Sequence, residues 1–161
     1  LTNKKGKIKV TSATCGRVCD KGVTDVNNMG AVMAIAAADT IERHLNDLKI
    51  KPNYYDLILT GDLGKLGSEI LIDLMEDEGI TLGINYSDCG QMYFKREQET
   101  LCGGSGAGCC ATVFNSYIMA KLRDGQYKKI LFLPTGALLS TTSSQQGETI
   151  PGVCHAIVVE G

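Results

Sequence analysis

At 161 residues, 43% hydrophobic and 21% charged, the chain has the length and make-up of one globular domain and is excluded from the disordered and fibrous classes. Its 16 Lys and Arg against 18 Asp and Glu leave a net charge of −2, with no overall basic excess to attract nucleic acid or anionic lipid. No uncharged apolar run approaches the ~18–20 residues that cross a bilayer, and the lysine-rich start (Lys4, Lys5, Lys7, Lys9) leads into no signal-peptide core.

In chain order, Lys7–Ser12 alternates with period two, as a half-buried strand does. Met29, Val32, Met33, Ala36, Ala37, Thr40, Ile41, Leu45 and Leu48 then recur at helical spacing behind caps at Asn27 or Asn28. Five alanines between Ala31 and Ala38 keep that helix smooth enough for close packing against a sheet or helix. The apolar run Leu57–Leu59 reads as a buried strand entering a tight turn at Thr60–Gly64. Leu66, Ile70, Leu71, Leu74 and Met75 mark a second helix that stops at Gly79, and a third strand is expected around Gly83–Ser87. Gly103–Gly108 opens a third helix whose apolar face runs from Cys110 to Leu122 and stops at Gly125. Ile130–Leu133 and Val153–Val159 are continuous apolar runs, as in strands covered on both faces, with Pro134 at a strand end or bulge. The order βαβαβαββ with right-handed crossovers predicts one α/β domain over residues 1–161: a five-stranded, mostly parallel sheet between helices, with one antiparallel strand at the end.

Seven cysteines (15, 19, 89, 102, 109, 110 and 154) form an odd set in a chain large enough to hold its core without staples, so reduced thiols are expected. Their C-x3-C and C-x6-C spacings do not match a zinc site, and no metal is expected. In an open α/β sheet ligands bind beyond the carboxyl ends of the strands, which here gathers Thr60–Gly64, Asp88–Gly90, Gly103–Gly108 and Thr135–Ser140. Small residues in Cys102–Cys110 let backbone amides approach an anion, or let helices pack closely; glycine serves both purposes. A phosphate loop is excluded, because Cys109 and Cys110 stand where Lys and Ser/Thr are needed, and the dinucleotide fingerprint lacks its third glycine. His44 and His155 fall inside a helix and a strand, away from these loops, so no thiolate has a base beside it. Asp62 and Asp88 each follow a strand, as a general base or a metal ligand would, but loop aspartates also cap helices and close turns.

Beyond these patterns, the segments Val23–Asp25, Asn28–Gly30, Tyr55–Leu63, Asp88–Gly90, Gly103–Gly106, Thr135–Ser140 and Gln145–Pro151 together resemble the C-terminal half of the stage V sporulation protein AD family. The resemblance covers nearly the whole chain. With Leu1 rather than methionine at its start, the chain is expected to be a piece of a longer protein whose N-terminal half is missing here. That family is similar to thiolases and ketoacyl synthases, which pair two βαβαβαββ halves about a pseudo-twofold axis and bind ligand between them. In such enzymes this half supplies a histidine after its second strand and an asparagine before its third helix. By motif these fall near Gly61–Asp62 and near Gly106, where neither residue stands. The Gly-His-Pro base of thiolases is absent, and their late cysteine falls near Cys154 without its glycine-rich continuation.

The resemblance implies a protein that is not an enzyme and needs no cofactor, one that helps move dipicolinic acid, with calcium, into the developing spore. Its implied partners are the N-terminal half, dipicolinic acid and other stage V sporulation A membrane channel proteins, with a homodimer allowed and no nucleic acid. Its implied place is a cytoplasmic-type soluble domain, peripheral at the spore inner membrane. Asp62, Gly104, Ser105 and Gly106 are the candidate ligand residues. The rival reading is an acyl-transferring enzyme that recruits Cys102, Cys109 or Asp62; a third is a scaffold that binds nothing. A half-molecule is also expected to leave the alanine-lined first helix and the glycine-loop helix uncovered.

Overall fold

The computed structural model describes residues 4, 6–106 and 108–161, without the side chain of Arg96. In chain order the elements are β1 (Lys9–Thr14), β2 (Val18–Cys19), α1 (Met29–Leu48), β3 (Leu57–Thr60), α2 (Gly64–Asp77), β4 (Tyr86–Asp88), α3 (Cys89–Tyr93), α4 (Cys109–Val113), α5 (Met119–Arg123), β5 (Lys129–Leu133), β6 (Thr135–Ala137), α6 (Thr141–Gln145), β7 (Gly152–Cys154) and β8 (Ala156–Glu160). A π-helical turn, Phe114–Ile118, joins α4 to α5.

The main sheet has five strands in the order β1-β8-β5-β3-β4. β5, β3 and β4 are parallel, and β8 runs antiparallel between β5 and β1. Four strands therefore point one way and the last strand points back, as the element order predicts. Leu57, Leu59, Ile130 and Phe132 face one side of this sheet and pack with Cys89, Cys109, Val113, Ile118 and Leu122 from the α3 and α4–α5 layer. Ile58, Leu131, Leu133 and Val158 face the other side and meet α1 and α2. Continuous apolar strands are what two covered faces require.

Two expectations change. The run Val153–Val159 is not one strand of one sheet: it divides at His155 into β7 and β8, and β7 joins β2 and β6 in a separate three-stranded sheet. The pairing of Phe132 with Ile157 and of Thr135 with Cys154 keeps one register across the break. A single long hairpin thus passes from one sheet to the other at Pro134, which has no N–H to continue the first ladder. Nor is the alanine-lined helix uncovered. Ala34, Ala36 and Ala37 have no exposure, because α1 lies against the main sheet and α2 while the small sheet covers its start.

α1 begins with the Asn28 side chain accepting the Ala31 N–H at 3.3 Å. Near its end His44, fully buried, lies between the Thr14 hydroxyl at Nδ1 (2.7 Å) and the Tyr55 hydroxyl at Nε2 (2.5 Å). Burial holds the imidazole below its ordinary value of 6.5, opposed by the Asp47 charge. The unfolded chain then takes up this proton first, so stability is full above pH ~6.5 and falls as pH drops through the folded value. Denaturation midpoints followed from pH ~8 to pH ~5 should decline, and His44→Gln should flatten that part of the slope. Equal slopes in the two proteins would remove His44 from the account.

Candidate functional site

The carboxyl ends of β3, β4 and β5 converge, and each delivers its loop to the same place. Asp88 closes β4 with no exposure. Its Oδ2 accepts from the Thr60 hydroxyl (2.7 Å) and the Leu63 N–H (3.0 Å), and its Oδ1 accepts from the N–H groups of Gly64 (2.9 Å) and Gln91 (3.2 Å). Burial raises the carboxyl pKa, and these four donors oppose the rise. Asp88 thereby caps α3 and fixes the turn into α2, which is structural work.

Asp62, on the neighbouring loop, is half-buried and is engaged at both oxygens. Its Oδ2 accepts from the Gly106 N–H (2.9 Å) and the Ser105 hydroxyl (3.2 Å), and its Oδ1 accepts from the Thr135 hydroxyl (2.9 Å). Three of the four candidate ligand residues are therefore brought together. Gly104 is not part of this contact: it is buried, and its N–H donates to the Gly90 carbonyl at 2.8 Å. The approach is close. A Cβ at Gly103, whose φ is +104°, would lie 2.4 Å from the same Gly90 oxygen, so here glycine serves packing of the loop on α3. Ala107 lies outside the described residues.

Beside the loop is a depression of about 510 Å³ lined by Tyr93, Phe94, Gly104, Ser105, Gly106 and Thr112. Its aromatic wall comes from α3, an element the periodicity does not reveal because five residues are too few to show a face. The signal was local: Asp88 and Gln91 stand in the spacing of a helix-capping pair. Thr135, the third donor to Asp62, was visible only as part of a strand-end loop.

The two histidines bond elsewhere, His44 as above and His155 through Nδ1, which accepts the Gly16 N–H at 3.0 Å. Burial first, then the charges of Asp62 and Asp88, pushes the Cys109 thiol up to about 11; Cys89 is raised by burial and Asp88, and Cys110 by burial and Asp62. Cys154 is raised by burial. Thiols held protonated are poor nucleophiles. With a maleimide at neutral pH, Cys15 and Cys102, which are exposed, should react in the folded chain, whereas buried Cys89, Cys109 and Cys154 should react only on unfolding. Rapid labelling of Cys109 in the folded chain would contradict this geometry.

Among the described residues no cluster of three His, Cys, Asp or Glu side chains is placed to hold a metal ion, and no helix is long and apolar enough to cross a membrane. The family model described as Stage V sporulation protein AD matches residues 1–160. The chain belongs to the stage V sporulation protein AD family. Stage V sporulation protein AD of Bacillus subtilis (strain 168) is 45% identical over 160 residues, which is 99% of this chain and 47% of that protein. The chain therefore spans about half the length of the curated relative it matches.

Two solved structures extend the likeness to the fold. A tetronic acid condensing enzyme, AbyA1, superposes with a TM-score of 0.54 at 12% identity, covering 99% of this chain and 49% of that one. MvaS in complex with 3-hydroxy-3-methylglutaryl coenzyme A gives 0.53 at 12% identity, covering 98% of this chain and 40% of that one. This member of the stage V sporulation protein AD family thus has a thiolase-like fold, of which the chain corresponds to about half.

Proposed function

We propose that the chain is the C-terminal half of a sporulation protein that performs no acyl transfer and binds dipicolinic acid, with calcium, for uptake into the developing spore. It would work with the N-terminal half and with other stage V sporulation A membrane channel proteins, peripheral at the spore inner membrane. The observation that carries this reading is Asp62. At the strand end where related condensing enzymes are expected to carry a base, a carboxylate is held by Gly106, Ser105 and Thr135. Both of its oxygens are already occupied by donors from the protein, so the side chain is held in place by the loop and is not aimed at a substrate. The raised thiols of Cys89 and Cys109 offer no ready nucleophile beside it.

The depression next to Asp62 supports the ligand class. Tyr93 and Phe94 present aromatic area to a flat ring. Asp62 itself repels a dicarboxylate. Calcium, which takes carboxylate oxygens readily, would turn that repulsion into a shared contact. The N-terminal half would supply the opposite wall.

Spores formed with Tyr93→Ala in the intact protein should contain several-fold less dipicolinate at unchanged protein level; Tyr93 is 45% exposed, so its removal spares the core. Wild-type dipicolinate content would sink the site assignment. Turnover of an acyl thioester by the intact protein, abolished by Cys102→Ala or Cys109→Ala with the fold retained, would establish the acyltransferase reading instead.

A further inference from the structure

The net charge of −2 conceals a strong partition. Residues 4–9 and 121–129 hold eight of the 16 Lys and Arg and, in Asp124, one of the 18 acidic residues, so these two short segments carry +7 and the remainder of the chain −9. The fold brings Lys7 and Lys9 of the first segment to the second. The Lys7 ammonium donates to the Arg123 carbonyl at 3.0 Å, which sets the N-terminal segment against the end of α5. Lys9 on β1 and Lys129 on β5 both pair with Glu160 of β8, across three adjacent strands at the same end of the sheet. Glu160, through Lys129 at 3.1 Å, and Asp56, whose Oδ2 accepts from the Lys128 and Lys129 N–H groups, neutralise part of this row. Lys7, Lys9, Arg123 and Lys128 are exposed.

We propose that this end of the domain is the face that docks on an anionic lipid surface. It rests on the membrane-side location proposed above, but not on the dipicolinate site, which lies at the opposite, carboxyl ends of the parallel strands. Clusters of four to eight Lys and Arg suffice for attraction to acidic headgroups at roughly 1 kcal/mol per residue. The shape favours a membrane over nucleic acid. The cations project from a strand edge and a helix-to-strand turn, with no helix or ribbon presented for a groove. The nearby Tyr54 and Tyr117 rings each have one face taken by an ammonium group, that of Lys129 (4.1 Å) and of Lys121 (5.2 Å), which leaves fewer faces for a base to stack on.

The test is co-sedimentation of the intact protein with equimolar phosphatidylglycerol–phosphatidylcholine vesicles and with pure phosphatidylcholine vesicles, at low and high salt. Binding is expected on the acidic vesicles alone and should weaken with salt. The triple variant Lys9→Gln, Arg123→Gln, Lys128→Gln should bind at least about tenfold more weakly. A triple variant with the same charge change elsewhere, Lys21→Gln, Lys65→Gln, Lys95→Gln, should bind as the wild type does. Melting curves establish that both variants fold. Equal loss in the two variants, or equal binding to neutral vesicles, would overturn the proposal. So would tighter binding to a duplex oligonucleotide than to the acidic vesicles, lost in the first variant. Dipicolinate binding should be unchanged in the first variant, so failure here would leave the ligand reading standing.

Discussion

Asp88→Ala is expected to lower stability by about 3–5 kcal/mol, because removal of a buried charged acceptor strands several donors at once. The Leu63 and Gly64 N–H groups, both in buried residues, and the Thr60 hydroxyl all lose their partner. The Gln91 N–H loses the cap of α3. Loss of the cap alone costs ~1 kcal/mol, so the greater part comes from the unsatisfied groups of the Gly61–Gly64 turn. Asp88→Asn keeps one acceptor oxygen and should lose about half as much. Urea denaturation with an unchanged m-value measures both. A loss under about 1 kcal/mol for the alanine variant would mean that water replaces the carboxylate without penalty, and the turn would then not be organised by Asp88.

Gly67→Val is the second large effect, expected at about 3 kcal/mol through overpacking at the crossing of α1 and α2. A Cβ at Gly67 would stand 2.9 Å from both the Cα and the carbonyl oxygen of Gly30, and a Cβ at Gly30 would stand 2.7 Å from the Leu63 oxygen. Backbone lies on both sides of the contact, so no side chain can rotate away and the helices themselves must part. That movement would also shift Leu63 and hence the loop that carries Asp62, coupling a packing defect to the site. Gly136→Ala is the comparison. Its Cβ would meet Val153 at an ordinary 3.6 Å, and its effect should stay within about 0.5 kcal/mol. Similar losses in the two variants would show that the α1–α2 approach is looser than its geometry implies.

The parts of the fold that were readable from sequence are those where a long segment repeats one pattern. Apolar spacing from Met29 to Leu48 coincides with α1 residue for residue, and Leu57–Leu59 and Ile130–Leu133 fall in β3 and β5. What escaped depends on partners distant in the chain. Val153–Val159 is uniformly apolar, so nothing in it announces that one part serves the small sheet and the other the large one; Pro134, on the opposite strand of the hairpin, makes the division. The coverage of Ala34, Ala36 and Ala37 follows from how α2 folds back, which the composition of α1 does not contain. At the site, Asp62, Ser105 and Gly106 were readable as strand-end candidates, but their mutual bonding joins residues more than 40 positions apart. The charge partition escaped for a different reason, because a net value averages over segments that the fold separates.

Isothermal titration of the intact protein with dipicolinate, with and without calcium, tests the central claim most directly. Saturable binding that strengthens when calcium is present and weakens several-fold in Tyr93→Ala is the expected result, since calcium offsets the Asp62 charge and the ring supplies the stacking face. Absence of any heat of binding in either condition, in protein shown to be folded, would contradict the account.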